Sequence, residues 1–154
     1  MKAEKIITYR ETTDIEIEGI ALLSIGDFAS NVKLIPNIDC EYWLSSSVVN
    51  CPGYVAAVNR NGLICSGGFI AATKLGVRPV LSIQGEGLNP GDKIIVAGYT
   101  WTVLNNTAKM LCDTHIERRP YREEYQKKEN IEYNKSDIKL FLEQWAKDKG
   151  ILTA

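Results

Sequence analysis

Apolar positions along the chain change their period several times, and each change marks an element. Ile6-Ile7-Thr8-Tyr9 is strand-like; Ile15, Ile17 and Gly19 share one face of a second, alternating strand that runs into Ile20-Ala21-Leu22-Leu23. Ser24 reads as a helix N-cap, with Asp27 three residues on as a short form of the capping box, ahead of Phe28 and Val32. Pro36 and Asn37 stop that helix early. Residues 40–83 are poor in charge. Tyr42-Trp43-Leu44 predicts a strand, Ser45-Ser46-Ser47 a loop, and Tyr54 to Val58 a second strand. Asn61-Gly62 predicts a two-residue hairpin turn, since both residues tolerate positive φ, into Leu63-Ile64-Cys65. Gly67-Gly68 breaks that strand, and Val77 to Ile83 forms another, with Pro79 marking an edge or a bulge.

Gln84 to Asp92 is the best connecting segment, rich in glycine and turn formers. A meander of three strands follows: Lys93–Ala97, Thr100–Leu104 and Ala108–Cys112, joined at Gly98-Tyr99 and Asn105-Asn106. The last helix is the clearest. Ser136 caps it, Ile138, Phe141, Leu142 and Trp145 form one apolar face, and Gly150 lies where a C′ glycine would end it.

Composition narrows the class without naming a job. The 154 residues are 45% hydrophobic and 24% charged, the profile of one globular domain, residues 1–154. Eighteen Lys and Arg against nineteen Asp and Glu leave a net charge of −1, which argues against a dedicated nucleic-acid binder. No apolar run approaches a membrane span, and Met1-Lys2-Ala3-Glu4-Lys5 does not open a secretory segment. The expectation is a protein of the host-cell cytoplasm, or alternatively of a virion. Cys40, Cys51, Cys65 and Cys112 lack close CxxC pairing, so four reduced thiols buried as small hydrophobes are preferred over two disulfides.

Candidate chemistry is sparse. Cys112-x-x-His115 is half a zinc site at most, and the other cysteines are scattered, so a structural thiol and a surface histidine are expected, with no metal and no cofactor. The same pair lacks a third group to orient it as a nucleophile and base. Arg118, Arg119, Arg122, Lys127 and Lys128, with Tyr121 and Tyr125 among them, could face an anionic partner. Glu117, Glu123, Glu124 and Glu129 neutralise them, and a solvated segment is the better reading. Trp101 and Trp145 are core, while Trp43 fits core or rim. The uncharged or hydrogen-bonding residues Ser45, Ser46, Ser47, Asn50, Tyr54, Asn59 and Arg60 form the candidate binding set, a mix typical of adaptable recognition surfaces and also of ordinary polar loops.

Three segments carry a family resemblance: Tyr42-Trp43-Leu44-Ser45-Ser46, Tyr54 through Val58-Asn59-Arg60-Asn61-Gly62, and Gly76-Val77-Arg78-Pro79-Val80-Leu81. They resemble the C-terminal half of a bacterial and phage family with a C-type lectin-like fold, related in architecture to formylglycine-generating enzymes. Its members read Trp-Leu-Arg-Ser-Pro, then Val-x-x-x-Gly, then Gly-Val-Arg-Pro-Ala-Leu. Gly98 to Leu104, Tyr125, Tyr133 to Ile138 and the helix ending near Trp145 resemble the N-terminal half of the same family. Residues 20–83 thus match the later half and 93–150 the earlier one, with 84–92 as the connection. The resemblance implies a circularly permuted α+β fold: one twisted antiparallel sheet with two helices, in which Val77–Ile83 pairs with Lys93–Ala97. The family's arginine after Trp-Leu is Ser45 here. The calcium pattern of true lectins and the cysteine pair of formylglycine-generating enzymes have no counterpart. The resemblance therefore implies a non-catalytic, phage- or prophage-type binding module for a protein partner such as a host factor, or alternatively a calcium-independent binder of cell-surface glycan. An enzyme is the third class.

Overall fold

The computed structural model describes residues 4–5, 15–124 and 128–152. Its strands are β1 (Glu4–Lys5), β2 (Glu16–Ala21), β3 (Tyr42–Ser47), β4 (Tyr54–Val58), β5 (Ile64–Ile70), β6 (Lys74–Val77), β7 (Val80–Gln84), β8 (Lys93–Val96), β9 (Tyr99–Val103), β10 (Lys109–Cys112) and β11 (Glu117–Pro120). The helices are α1 (Ile25–Asn31) and α2 (Asp137–Asp148), with a 3₁₀ turn at Tyr133–Lys135. The strands form two sheets rather than the single one expected, in the orders β1-β8-β9-β10-β7-β2 and β11-β6-β3-β4-β5. The architecture is α+β and largely antiparallel, with one parallel pair, β3 beside β6. The predicted strand Ile6–Tyr9 lies outside the described residues.

The central strands β3, β4, β7 and β10 contribute to clusters on both of their faces, which explains why they read as apolar runs. In β3 and β4, Trp43, Val55 and Ala57 pack with Ile138 and Leu142 of α2, while Tyr42, Leu44, Ala56 and Val58 pack with Phe28 of α1. In β7 and β10, Leu81, Ile83, Met110 and Cys112 share a cluster with Ala146 of α2, while Val80 and Leu111 turn toward α1. Each helix therefore packs against both sheets.

The caps form as the sequence indicates. Ser24 Oγ accepts the Asp27 N–H at 3.0 Å and Ser136 Oγ that of Lys139 at 3.2 Å. The Asp27 carboxylate, however, pairs with Lys109 on β10 at 2.7 Å. Gly150 closes α2 in a Schellman arrangement: the Ile151 N–H reaches Ala146 O at 2.8 Å and the Gly150 N–H reaches Lys147 O at 3.0 Å.

Four local expectations are corrected. Ser45-Ser46-Ser47 continues β3 rather than forming a loop. The β4–β5 turn is Asn59–Gly62, closed by the Gly62 N–H on Asn59 O, and of Asn61 and Gly62 only Gly62 has positive φ. Gly67-Gly68 lies inside β5 as a bulge. Gly68 has φ +63°, and a Cβ there would sit 2.5 Å from Val55 O, so only glycine fits. The strand predicted over Val77–Ile83 is two strands. Pro79, lacking an N–H, marks the corner where the chain leaves β6 in one sheet for β7 in the other.

The splice required by a permuted order is not formed. β7 pairs with β10 and β2, and two strands separate it from β8. The meander β8-β9-β10 does form, but its first turn is Ala97-Gly98, with φ +53° and +80°. Left-handed backbone costs alanine about 1 kcal/mol and suits asparagine, the residue favoured before glycine in such turns. Ala97→Asn should accordingly raise the urea midpoint, and an unchanged or lower midpoint would refute that reading of the turn.

Candidate functional site

The end of β3 is fixed from three sides. The Ser45 N–H donates to Leu23 O at 2.7 Å, Ser45 O accepts the Tyr121 hydroxyl at 3.0 Å, and Ser46 Oγ accepts the Ile25 N–H at 3.2 Å. Ser47 is exposed. Facing these serines is the segment Ile131–Asn134, held by Ser136, whose N–H and Oγ both donate to Tyr133 O. Together they line a groove of about 420 Å³ with Ser45, Ser46 and Ser47 on one wall and Ile131, Glu132, Tyr133 and Asn134 on the other.

Tyr133 adjoins an aromatic cluster. Tyr121 is fully buried against Trp43 and lies edge-on to Tyr133, ring centroids 6.4 Å apart. The Tyr133 hydroxyl is buried without a hydrogen-bond partner among the described residues. Burial pushes the Tyr133 phenol well above its ordinary value, with the Glu143 carboxylate adding to the shift, and burial does the same to Tyr121. Both phenols are neutral in the folded chain, whereas unfolding lets them ionise above about pH 10. The stability they contribute is therefore complete below that pH and is lost as pH rises toward their folded values. Urea unfolding should show a lower midpoint at about pH 11 than at about pH 8, with a shallower decline in Tyr121→Phe. An equal decline in the variant would contradict this assignment.

The candidate binding set divides. Ser45, Ser46 and Ser47 line the groove; exposed Asn50, at φ 60°, and half-buried Tyr54 belong to the following connection and the start of β4. Asn59 and Arg60 lie at the far end of β4, roughly 14 Å of strand away. There Asn59 Oδ1 accepts the N–H groups of Asn61 and Leu63, a turn-forming task. Ile131–Asn134, the other wall, was missed because its short polar stretch carries no periodicity.

None of the four cysteines is in a disulfide; Cys40 and Cys112 are buried, but Cys51 and Cys65 only half-buried, contrary to expectation. Burial raises the Cys112 thiol, away from nucleophilic use. His115 is half-buried rather than on the surface, and its Cβ and Cys40 Sγ both crowd Gly76. No group of three metal-ligating side chains occurs among the described residues. The charged segment is also less solvated than its composition implied: Glu117–Pro120 is strand β11, Tyr121 is core, Arg119 lies over the Phe141 ring at 4.4 Å, and Arg122 pairs with Glu129. Tyr125 and Lys127 lie outside the described residues. Trp43 is core, with no exposed surface.

One cluster escaped the sequence reading. Lys93 Nζ donates to Thr102 Oγ1 at 2.6 Å and Asp113 Oδ2 at 2.9 Å, and Thr102 Oγ1 donates to Asp113 Oδ1. A hydroxyl between an amine and a carboxylate has the parts of an activated nucleophile. Thr102 is only 1% exposed and its proton is already committed to Asp113, so the cluster instead ties β8, β9 and the end of β10 together.

No protein-family model, curated protein or solved structure matches the chain.

Proposed function

We propose that this chain is a non-catalytic binding module of phage or prophage type that takes part of a protein partner, such as a host factor, into the groove between β3 and Tyr133–Lys135. The observation that carries the reading is the groove itself. It has a serine wall held by backbone hydrogen bonds and an opposing wall of Ile131, Glu132, half-buried Tyr133 and Asn134. Such a lining offers donors and acceptors with a single carboxylate, Glu132, which suits polar backbone and side-chain groups of a partner more than a phosphate. The hydroxyl-rich wall beside an aromatic ring also supports a second reading, a calcium-independent site for cell-surface glycan.

The C-type lectin-like assignment is part of the proposal and rests on motifs. The Tyr-Trp-Leu and Gly-Val-Arg-Pro segments lie side by side, Tyr42 opposite Gly76 in the parallel pair. Circular permutation has lost the strand pairing it required and is not part of the proposal.

Affinity capture from cytosol and envelope fractions of the producing cell tests the reading, with wild type and Ser47→Trp compared. Ser47 is exposed, so the indole fills the groove without entering the core. One protein recovered near one-to-one by wild type and lost by the variant is the expected result. Release from envelope material by soluble glycan would select the second reading. Equal recovery by both forms would contradict the groove.

A further inference from the structure

Four strands end the two sheets, and three of them are protected against further pairing. β1 carries Glu4 and Lys5; β2 carries Glu16 and Glu18 and packs against α2; β11 reads Glu-Arg-Arg-Pro. β5 differs. Its seven residues contain no charge and no proline, the whole stretch from Asn61 to Thr73 is uncharged, and its strand neighbour among the described residues is β4 alone. Exposed hydrophobics mark its two ends, Leu63 at 63% just before it and Ile70 at 43% as its last residue, and Val48 lies against Gly68.

The backbone sets the pairing rule. Asn59 N–H bonds to Leu63 O and Ala71 N–H to Gly53 O, so along the ladder Cys65 and Phe69 turn their polar groups to β4 while Ile64 and Ile70 turn theirs outward. We infer that this edge pairs with the same edge of a second copy of this chain, antiparallel, about a two-fold axis at Gly67. In that register Ile64 meets Ile70 of the second copy, so the outward N–H and C=O groups oppose one another on both sides of the axis. Gly67 opposes itself, so no side chain stands between the two copies at the axis. The absence of charge removes the like-charge repulsion that a self-complementary edge would otherwise suffer. The five-stranded sheets become one sheet of ten strands, and the dimer carries two copies of the groove.

Sedimentation or light scattering of the full chain gives the first test. The expected mass is twice that of the monomer, falling to the monomer in Leu63→Lys/Ile70→Lys, whose altered residues are exposed and whose circular dichroism should be unchanged. A monomer at the highest soluble concentration, or a dimer that survives both lysines, would overturn the inference. The second test reads the register. Residues directly opposite in a non-hydrogen-bonded pair have Cα atoms about 4.5 Å apart, within disulfide reach. Gly67→Cys, in a background with Cys51→Ser and Cys65→Ser, should form a reducible covalent dimer on mild oxidation. A non-covalent dimer that resists crosslinking would overturn the Gly67-centred pairing.

Discussion

Trp43→Ala is expected to cost about 3–5 kcal/mol, enough to leave the chain partly unfolded without denaturant. The indole has no exposed surface and stands edge-on to Phe69 and Tyr121, with ring centroids 6.4 and 5.5 Å away. Its Nε1–H donates to Arg119 O at 2.9 Å, linking β3 to edge strand β11 across the intervening β6. Truncation therefore opens a large cavity under α2 and leaves a carbonyl without its donor. Trp43→Phe keeps much of the volume and loses only the N–H and part of the ring, so its cost should be markedly smaller. Urea midpoints of the two variants check this; equal loss would mean that the hydrogen bond, not the packing, carries Trp43. The groove depends on the same residue, because Trp43 supports the Tyr121 ring whose hydroxyl fixes Ser45.

Arg78 gives the second large effect. It is 1% exposed; Nε donates to Cys112 O at 2.7 Å, Nη2 donates to Pro36 O at 2.7 Å and Asp113 O at 3.3 Å, and the guanidinium lies 5.0 Å from the Tyr42 ring centre. One side chain thus joins the β6–β7 corner to the segments after α1 and β10. Two terms oppose. Removing a buried cation relieves its desolvation, while each carbonyl left unpaired costs about 1–3 kcal/mol. Three carbonyls outweigh the relief, because carbonyl dipoles and the ring face already stabilise the charge. Arg78→Met should lose about 2–4 kcal/mol. Arg78→Lys keeps the charge but cannot reproduce the fork, so it should recover little. A lysine variant as stable as wild type would show that charge alone is needed.

The elements legible in the sequence were those with local causes. Ser24 and Ser136 cap because a hydroxyl before a helix meets a free N–H, and Gly150 ends α2 because the Schellman turn needs positive φ. The meander followed from turn residues between apolar runs. What failed depended on non-local partners. Val77 to Ile83 carries a local signal at Arg78-Pro79, which fits an edge or a bulge as well as a corner, and only the placement of neighbours assigns its halves to different sheets. Tyr121 sits among charges in sequence yet has no exposed surface, because β11 turns it under α2. In the candidate site, Ser45–Ser47 were legible as polar residues beside an aromatic, while Asn59 and Arg60 shared that composition but serve a turn at the other end of β4. The wall at Ile131–Asn134 comes from a segment more than eighty residues away in sequence, and no local pattern announces it.

The most direct test of the central claim is hydrogen–deuterium exchange of the chain alone and with its captured partner. The account predicts slowed exchange at Ser45–Ser47 and at Ile131–Asn134 together. Slowing confined to the Asn59–Leu63 turn or to Gln84–Asp92, with both groove walls unchanged, would contradict it.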